Sequence, residues 1–193
     1  MSHYFLAVSI PNDIQVILSD WAQALKPAMP FRQWTAFNDY HITLAFLGAA
    51  KEAGLHQLDQ LIKSHQGKMN VPNIHLNGIG IFGAKTAPRV LWAGVQADES
   101  LFGNQKLIAS LCETSGFSLD KRPYRPHITL AKRWNGGSAV SIDDLTERLP
   151  QNKPAGWRAT AVDLYQVCPG RLPRYRRVKS YAISGGETHG AID

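Results

Sequence analysis

Several features common in secreted and membrane proteins are scarce in this sequence or absent from it. Cysteine occurs twice, at Cys112 and Cys168, without C-x-x-C spacing, and so few cysteines do not build a disulfide framework. No apolar run approaches the roughly 20 residues that a membrane-spanning helix needs. The first apolar stretch, Tyr4–Ile10, is short and has no Lys or Arg before it, unlike a signal peptide. We therefore expect a cytoplasmic protein that does not span a membrane.

Acidic residues are outnumbered by basic ones. The chain has 15 Asp and Glu against 21 Lys and Arg, a net charge of +6. Ten of the 21 basic residues lie in two short windows, 121–133 and 171–179, and the second window contains no acid. Such windows fit a solvated surface that maintains solubility, and they also fit a binding site for a polyanion. Charge alone leaves both interpretations open.

The composition and the hydrophobic pattern predict one globular domain that mixes strands with helices. The 193 residues are 44% hydrophobic and 19% charged, which suits a folded chain with its own core. Alternating or apolar runs predict seven strands: Tyr4–Ile10, His41–Leu47, Pro72–Phe82, Arg89–Gln96, His127–Lys132, Arg158–Val167 and Arg177–Ser184. Helical spacing predicts helices that begin near Asn12, Lys51 and Glu99, and a short one over Ser141–Leu149.

The predicted elements occur in the same order twice, at a nearly constant offset. The separation is 85 residues from Tyr4 to Arg89 and 86 residues from His41 to His127. Two such halves cannot bury their sheets alone, so they should pack together. We expect a bilobal, internally duplicated α+β fold, with antiparallel sheets and flanking helices around a central cleft. The boundaries that we predict are one domain over 1–193, pseudo-repeat halves of about 1–86 and 87–184, and a tail at 185–193.

A repeated His-Ile-Thr-Leu segment lies at matching positions in the two halves. It begins at His41 and at His127, and each histidine shares a strand face with the threonine two residues later, Thr43 or Thr129. The apolar positions between them, and Phe46 further along, should face the core by the same alternation. Two imidazoles can accept and donate protons near neutral pH, and threonine hydroxyls can donate hydrogen bonds to phosphate oxygens. The pattern predicts acid–base chemistry on a phosphoryl group.

Other interpretations of the same residues carry less weight. A single His-x-Thr pair is more often a strand with a locally satisfied histidine, but two pairs at matching positions favour function. A zinc site needs more protein ligands than two histidines, and we expect no metal. The G-x-G-x-x-G pattern at 78–83 runs into another strand where a dinucleotide site needs a helix, so we expect no nucleotide cofactor.

The ordered set of motifs resembles the 2H phosphoesterase superfamily, in particular the RNA 2′,3′-cyclic phosphodiesterases, also described as 2′-5′ RNA ligases. The matching blocks, in chain order, are Tyr4–Val8 with Pro11, Trp34 with His41–Gly48, Gly80 and Phe82 with Pro88–Gly94, Tyr124 and Pro126 with His127–Ala131, and Leu164 with Tyr175. Two departures stand out. Lys132 occupies a position where the family usually has Arg, and the customary Ser after the late strand is not evident near Gln166.

The resemblance implies metal-independent hydrolysis of a 2′,3′-cyclic phosphate on an RNA end to a 2′-phosphate. His41, His127, Thr43 and Thr129 would be the catalytic residues. Lys132, Arg133 and Tyr175 are the candidate substrate-binding residues. The expected partner is an RNA or oligonucleotide end, with no obligate protein partner.

Neighbouring charges suggest which histidine acts as the base and which acts as the acid. Arg125, Lys132 and Arg133 near His127 favour a neutral imidazole, which suits the base that activates water. Asp39, two residues before His41, favours a charged imidazole, which suits the acid that protonates the leaving oxygen.

Two other functions stay open at this stage. One is a different enzyme of the same superfamily, which ligates or cleaves 2′-5′ linkages or opens a small cyclic phosphate. The other is a non-catalytic module that binds RNA ends, although a binder does not need two titratable groups at matched positions.

Overall fold

A computed structural model describes residues 2–150 and 155–183. Within those residues the chain forms four α-helices and nine strands. The helices are α1 (Asn12–Leu25), α2 (Glu52–His65), α3 (Glu99–Thr114) and α4 (Ile142–Glu147). The strands are β1 (His3–Ser9), β2 (Phe31–Trp34), β3 (His41–Ala49), β4 (Asn73–Ala84), β5 (Ala87–Ala97), β6 (His127–Trp134), β7 (Gly156–Arg158), β8 (Ala161–Val167) and β9 (Tyr175–Ala182).

All nine strands belong to one antiparallel sheet, which confirms the predicted α+β class. The strand order is β7-β4-β5-β6-β3-β1-β8-β9, and β2 pairs with β6 beside that path. The sheets of the two sides are continuous, because β3 and β6 join them at a single residue pair, Ile42 with Ile128. None of the described helices is long and apolar enough to cross a membrane.

The strand order repeats with twofold symmetry about the junction of β3 and β6. By the 85- to 86-residue offset, β1 corresponds to β5 and β3 to β6, and the next strand, β4, corresponds to β8. Under this correspondence, the order β4-β5-β6-β3-β1-β8 is the same in both directions. Strand β4 pairs with β5, and β8 pairs with β1, so each side of the sheet contains strands from both parts of the sequence. The boundary near residue 86 stays a prediction, and residues 184–193, with the tail, lie outside the described residues.

The predicted helices follow from their apolar spacing and, in α4, from a side-chain cap. Helix α1 buries Ile14, Leu18, Trp21 and Leu25, which recur every three or four residues on one face. Ser141 caps α4 by accepting the Asp144 amide, as its position before the helix indicated.

Two strand assignments needed correction. The predicted strand Arg158–Val167 is divided into β7 and β8, because the chain moves between them from the edge of β4 to the edge of β1. Strand β2 was not predicted, since four residues are too few to establish an alternation.

Matching bulges interrupt the two motif strands and reverse their alternation. In β3 the partners of Leu6 and Ala7 are Ala45 and Thr43, so the register passes over Leu44. In β6 the register passes over the equivalent residue, Leu130. Beyond each bulge the side chains change faces. Phe46 is therefore 55% exposed, and the prediction that it packs in the core was wrong.

Candidate active site

The two histidines open β3 and β6 and lie on opposite sides of the single pair that joins these strands. Because Ile42 pairs with Ile128 in antiparallel register, His41 lies across from Thr129 and Thr43 lies across from His127. Ile42 and Ile128 are fully buried on the other face. The register therefore brings all four predicted catalytic residues to one face of the sheet, with each histidine facing the other motif's threonine.

Both imidazoles are oriented by the same backbone contact. His41 Nδ1 lies 2.7 Å from the carbonyl oxygen of Asp39, and His127 Nδ1 lies 2.7 Å from that of Arg125. A carbonyl can only accept, so Nδ1 of each ring carries the hydrogen when the imidazole is neutral. This tautomer leaves Nε2 of each histidine available to accept or donate a proton.

His41 is enclosed by aromatic rings. Its ring centroid is 4.7 Å from Phe5, 5.1 Å from Tyr175 and 6.2 Å from Tyr165. The pKa of His41 is lowered to about 4, chiefly by burial and also by the charges of Lys132 and His127, against the opposing effect of the hydrogen bond to the Asp39 carbonyl. His41 is consequently neutral at pH 7 in the free protein.

His127 has a looser setting. The Phe82 ring is nearly perpendicular to the imidazole at a centroid distance of 4.9 Å, and Trp92 is 6.4 Å away. Burial again lowers the pKa of His127, and the nearby Lys132 charge contributes in the same direction. The two imidazoles are thus both neutral near pH 7, but His127 is less enclosed.

Asp39 does not act on His41 as the sequence suggested. Its carboxylate is buried and accepts the backbone amides of Arg174 at 2.9 Å and Tyr175 at 3.2 Å. The hydrogen bond that His41 makes to Asp39 goes to the backbone carbonyl. Asp39 therefore connects the histidine strand to the segment before β9, and it does not make the imidazole cationic.

A small pocket adjoins His41. Its lining residues are Gln33, Thr35, Asp39, His41, Thr129, Lys132, Arg174 and Tyr175. Lys132 reaches this face because of the bulge at Leu130. Arg133, by contrast, is exposed and outside this lining, with a left-handed φ of 64°.

Several pocket residues carried little signal in the sequence. Arg174 belongs to the acid-free basic window, which could have pointed to it. Gln33 and Thr35 lie at or beside β2, the strand that was not predicted. A larger depression beside Trp134 and α4 contains neither motif histidine. Among residues 2–150 and 155–183, no group of three or more His, Cys, Asp or Glu side chains is placed to hold a metal ion.

Curated relatives share this chain's sequence over most of its length. An RNA 2′,3′-cyclic phosphodiesterase of Geobacillus stearothermophilus is 32% identical over 184 residues, which are 95% of this chain and 58% of that protein. The chain thus spans less than two thirds of that relative. An RNA 2′,3′-cyclic phosphodiesterase of Bacillus subtilis is 30% identical over 94% of this chain and 97% of its own length.

The fold also matches a solved structure. Escherichia coli LigT, in a crystal structure complexed with 3′-AMP, aligns with a TM-score of 0.75 at 24% identity and covers 95% of this chain and 98% of its own. The family model of the 2′-5′ RNA ligase superfamily matches residues 11–167. With the paired His-x-Thr strands and this match over most of its length, the chain belongs to the 2′-5′ RNA ligase superfamily, whose fold is that of the 2H phosphoesterases.

Proposed function

We propose that this protein hydrolyses 2′,3′-cyclic phosphates at RNA ends to 2′-phosphates, with two histidines and no metal ion. The observation that carries the proposal is the reciprocal register, in which each histidine faces the threonine of the other motif. The names of the Geobacillus and Bacillus relatives support the same substrate. A cytoplasmic location stays a prediction.

The reaction needs an entering and a leaving oxygen in line on opposite sides of phosphorus. One histidine on each side meets that requirement. Thr43 and Thr129 donate hydrogen bonds to the non-bridging oxygens, and Lys132 balances the negative charge of the phosphate. Strand backbone fixes these donors, so little reorganisation is needed as charge develops.

His127 is the base in this proposal and His41 is the acid. Nε2 of His127 takes a proton from water as its oxygen bonds to phosphorus. The bond from phosphorus to the 3′ oxygen breaks, and His41 Nε2 delivers a proton to that oxygen. The looser setting of His127 suits entry of water, and the enclosed aromatic side at His41 suits the ribose. Because burial lowers the pKa of His41, its protonation depends on the bound anionic phosphate, which raises that pKa.

Two further residues have proposed roles in substrate binding. Tyr175 lines the pocket beside His41 and can contact the terminal nucleoside. Arg133 is exposed next to Lys132 and can meet the outer part of the substrate.

The test is turnover of nucleoside and oligonucleotide 2′,3′-cyclic phosphates in the presence of EDTA, with the product isomer identified by NMR or chromatography. We expect a 2′-phosphate and no loss of rate with the chelator. A 3′-phosphate product would contradict the proposed leaving group, and inactivation by EDTA would contradict the metal-independent mechanism.

A further inference from the structure

The pocket beside His41 contains a second cation that the reaction at phosphorus does not need. Arg174 and Lys132 both line it, near enough that the Arg174 charge helps burial to lower the pKa of Lys132. Within the described part of the chain, neither side chain forms an ion pair with an Asp or Glu. Two like charges held together in a partly buried pocket repel each other unless an anion joins them.

The charge of the cyclic phosphate does not account for both cations. A phosphodiester carries one negative charge, and the buried Asp39 carboxylate, which also lines the pocket, is a second. Lys132, Arg174 and the His41 imidazole that is protonated in the proposed mechanism are three positive charges against these two. One positive charge therefore stays in excess when the reacting phosphate alone is bound. A second phosphate, one nucleotide away along the chain, would supply the further negative charge.

Arg174 is held in position by an unusual contact. Its backbone amide donates to the buried carboxylate of Asp39 at 2.9 Å, and its carbonyl accepts the Cys168 amide at 2.7 Å. The segment is thereby fixed on both sides before β9 begins. A guanidinium can bind a phosphate through two parallel hydrogen bonds, and its fixed backbone means that binding need not order this segment.

The positive charge continues from this point along the sheet edge. Strand β9 is the last strand of the sheet path, and Arg176 is exposed on it immediately after the pocket residue Tyr175, whereas the next residue, Arg177, pairs with Asp163 at 3.7 Å. A nucleotide chain that leaves the pocket beside Arg174 would follow this edge.

We propose that Arg174 binds the phosphodiester on the 5′ side of the terminal nucleotide, so that the enzyme acts on oligonucleotide ends in preference to mononucleotides. This inference rests on the proposed function, since it defines the substrate of the same site.

The experiment compares three substrates with the same terminal nucleoside cyclic phosphate: the mononucleotide, the dinucleotide, and the dinucleotide with an uncharged methylphosphonate linkage. The proteins are the wild type, Arg174→Gln and Arg158→Gln. The last variant removes the same charge from an exposed residue of β7, at the opposite edge of the sheet.

For the wild type we expect kcat/KM to be about tenfold or more higher on the dinucleotide than on the mononucleotide, as one charge-assisted contact provides. Arg174→Gln should remove that advantage, because it should lower kcat/KM on the dinucleotide far more than on the mononucleotide. The uncharged methylphosphonate linkage should remove the dinucleotide advantage in the wild type, and it should lower kcat/KM of Arg174→Gln no further. Arg158→Gln should keep the full advantage.

Equal losses on the mononucleotide and the dinucleotide in Arg174→Gln would place Arg174 at the reacting phosphate and overturn the proposal. Equal kcat/KM on both substrates in the wild type would also overturn it. Failure of the wild type to turn over any substrate would contradict the proposed function instead. In that case, the affinities for dinucleotide 2′-phosphate and mononucleotide 2′-phosphate are measured by fluorescence. The wild type should bind the dinucleotide more tightly than the mononucleotide, and Arg174→Gln should lose this difference.

Discussion

The surroundings of His41 and His127 differ although their motifs are the same. The motif threonines show where the difference begins: the neighbour of Thr43 in β1 is Ala7, whereas the neighbour of Thr129 in β5 is Trp92. The Trp92 ring lies over Gly80, where an added Cβ would approach it to 2.3 Å. The large Trp92 side chain therefore fits on β5 because the neighbouring strand, β4, has a glycine at position 80.

Around His41 the neighbouring strand residue is small, and the aromatic rings come from other positions. With only Ala7 beside Thr43, the space on this side is taken by Phe5, Tyr165 and Tyr175, which surround the imidazole. The positions after the bulges differ as well, since Phe46 in β3 corresponds to Lys132 in β6. Equivalent strands thus provide two chemically different sides, and this inequality is what a reaction with separate acid and base requires.

The largest expected effect comes from removing either imidazole. His41→Ala and His127→Ala should each lower kcat by about 10²-fold or more, because general acid and base catalysis contribute at least that much. A nitrophenyl phosphodiester separates their roles, since its good leaving group hardly needs an acid. With that substrate the His41 variant should lose far less than the His127 variant. The reverse result would exchange the two roles.

The difference in enclosure predicts a difference in acid stability. Burial lowers the folded pKa of His41 to about 4, against 6.5 when unfolded. The unfolded chain therefore gains a proton first, and about 3 kcal/mol of stability is lost as the pH falls from 6.5 to 4. The slope of the unfolding free energy against pH, measured by urea denaturation, should be smaller in His41→Gln. His127→Gln should reduce this slope less. Equal slopes in all three proteins would mean that His41 is not desolvated.

Replacing the two motif threonines tests whether both sides of the cleft bind the same phosphate. Thr43→Val and Thr129→Val keep the shape and remove a hydroxyl, so each should cost about 2–3 kcal/mol of transition-state stabilisation. The loss should fall on kcat more than on KM. If the kinetics of both variants match the wild type, these residues serve only as strand formers.

The position that corresponds to Asp39 in the second motif is Arg125, so the Asp39 contact has no carboxylate counterpart at that position. Asp39→Ala removes the acceptor for two backbone amides and should cost about 2 kcal/mol in the free energy of unfolding, with a rise in KM. Arg125→Ala is the matched control, because the carbonyl that orients His127 belongs to the backbone and remains. NMR titration of both histidines checks the result: the imidazole tautomers should persist in each variant.

The smallest effect is expected at Phe46. Because its side chain is exposed, Phe46→Ser should change the unfolding free energy by about 0.5 kcal/mol or less, as surface substitutions do. Leu47→Ala, at the buried neighbour, should cost about 2–5 kcal/mol. If Phe46→Ser and Leu47→Ala lost similar amounts of stability in thermal or urea unfolding, the side chains would not change faces at the bulge.

The sequence predicted the motif strands and the face that each histidine shares with its threonine because both depend on local patterns. Alternating side chains and a repeated His-x-Thr identify a strand and its polar face without any long-range information. The same alternation failed at Phe46, since a bulge adds a residue that periodicity does not register. It would also have turned Lys132 towards the core, away from the pocket where the structure places it.

Long-range contacts account for what the sequence did not provide. The Asp39 carboxylate meets amides 135 and 136 residues away, and no local pattern predicts such a partner. Its proximity to His41 in the sequence suggested a charge effect that the folded geometry does not produce. The position of Arg174 in the pocket follows from the same contact.

The exchange of β4 and β8 across the sheet has a consequence for how such a protein can be assembled from smaller units. A chain corresponding to one half alone would lack the outer strand that the other half supplies, and its own last strand would have no partner. Two copies of that half-length chain could complete each other only by swapping these strands. In such a homodimer the junction of β3 and β6 becomes the symmetry axis between subunits, and a His-x-Thr strand from each subunit lies beside it.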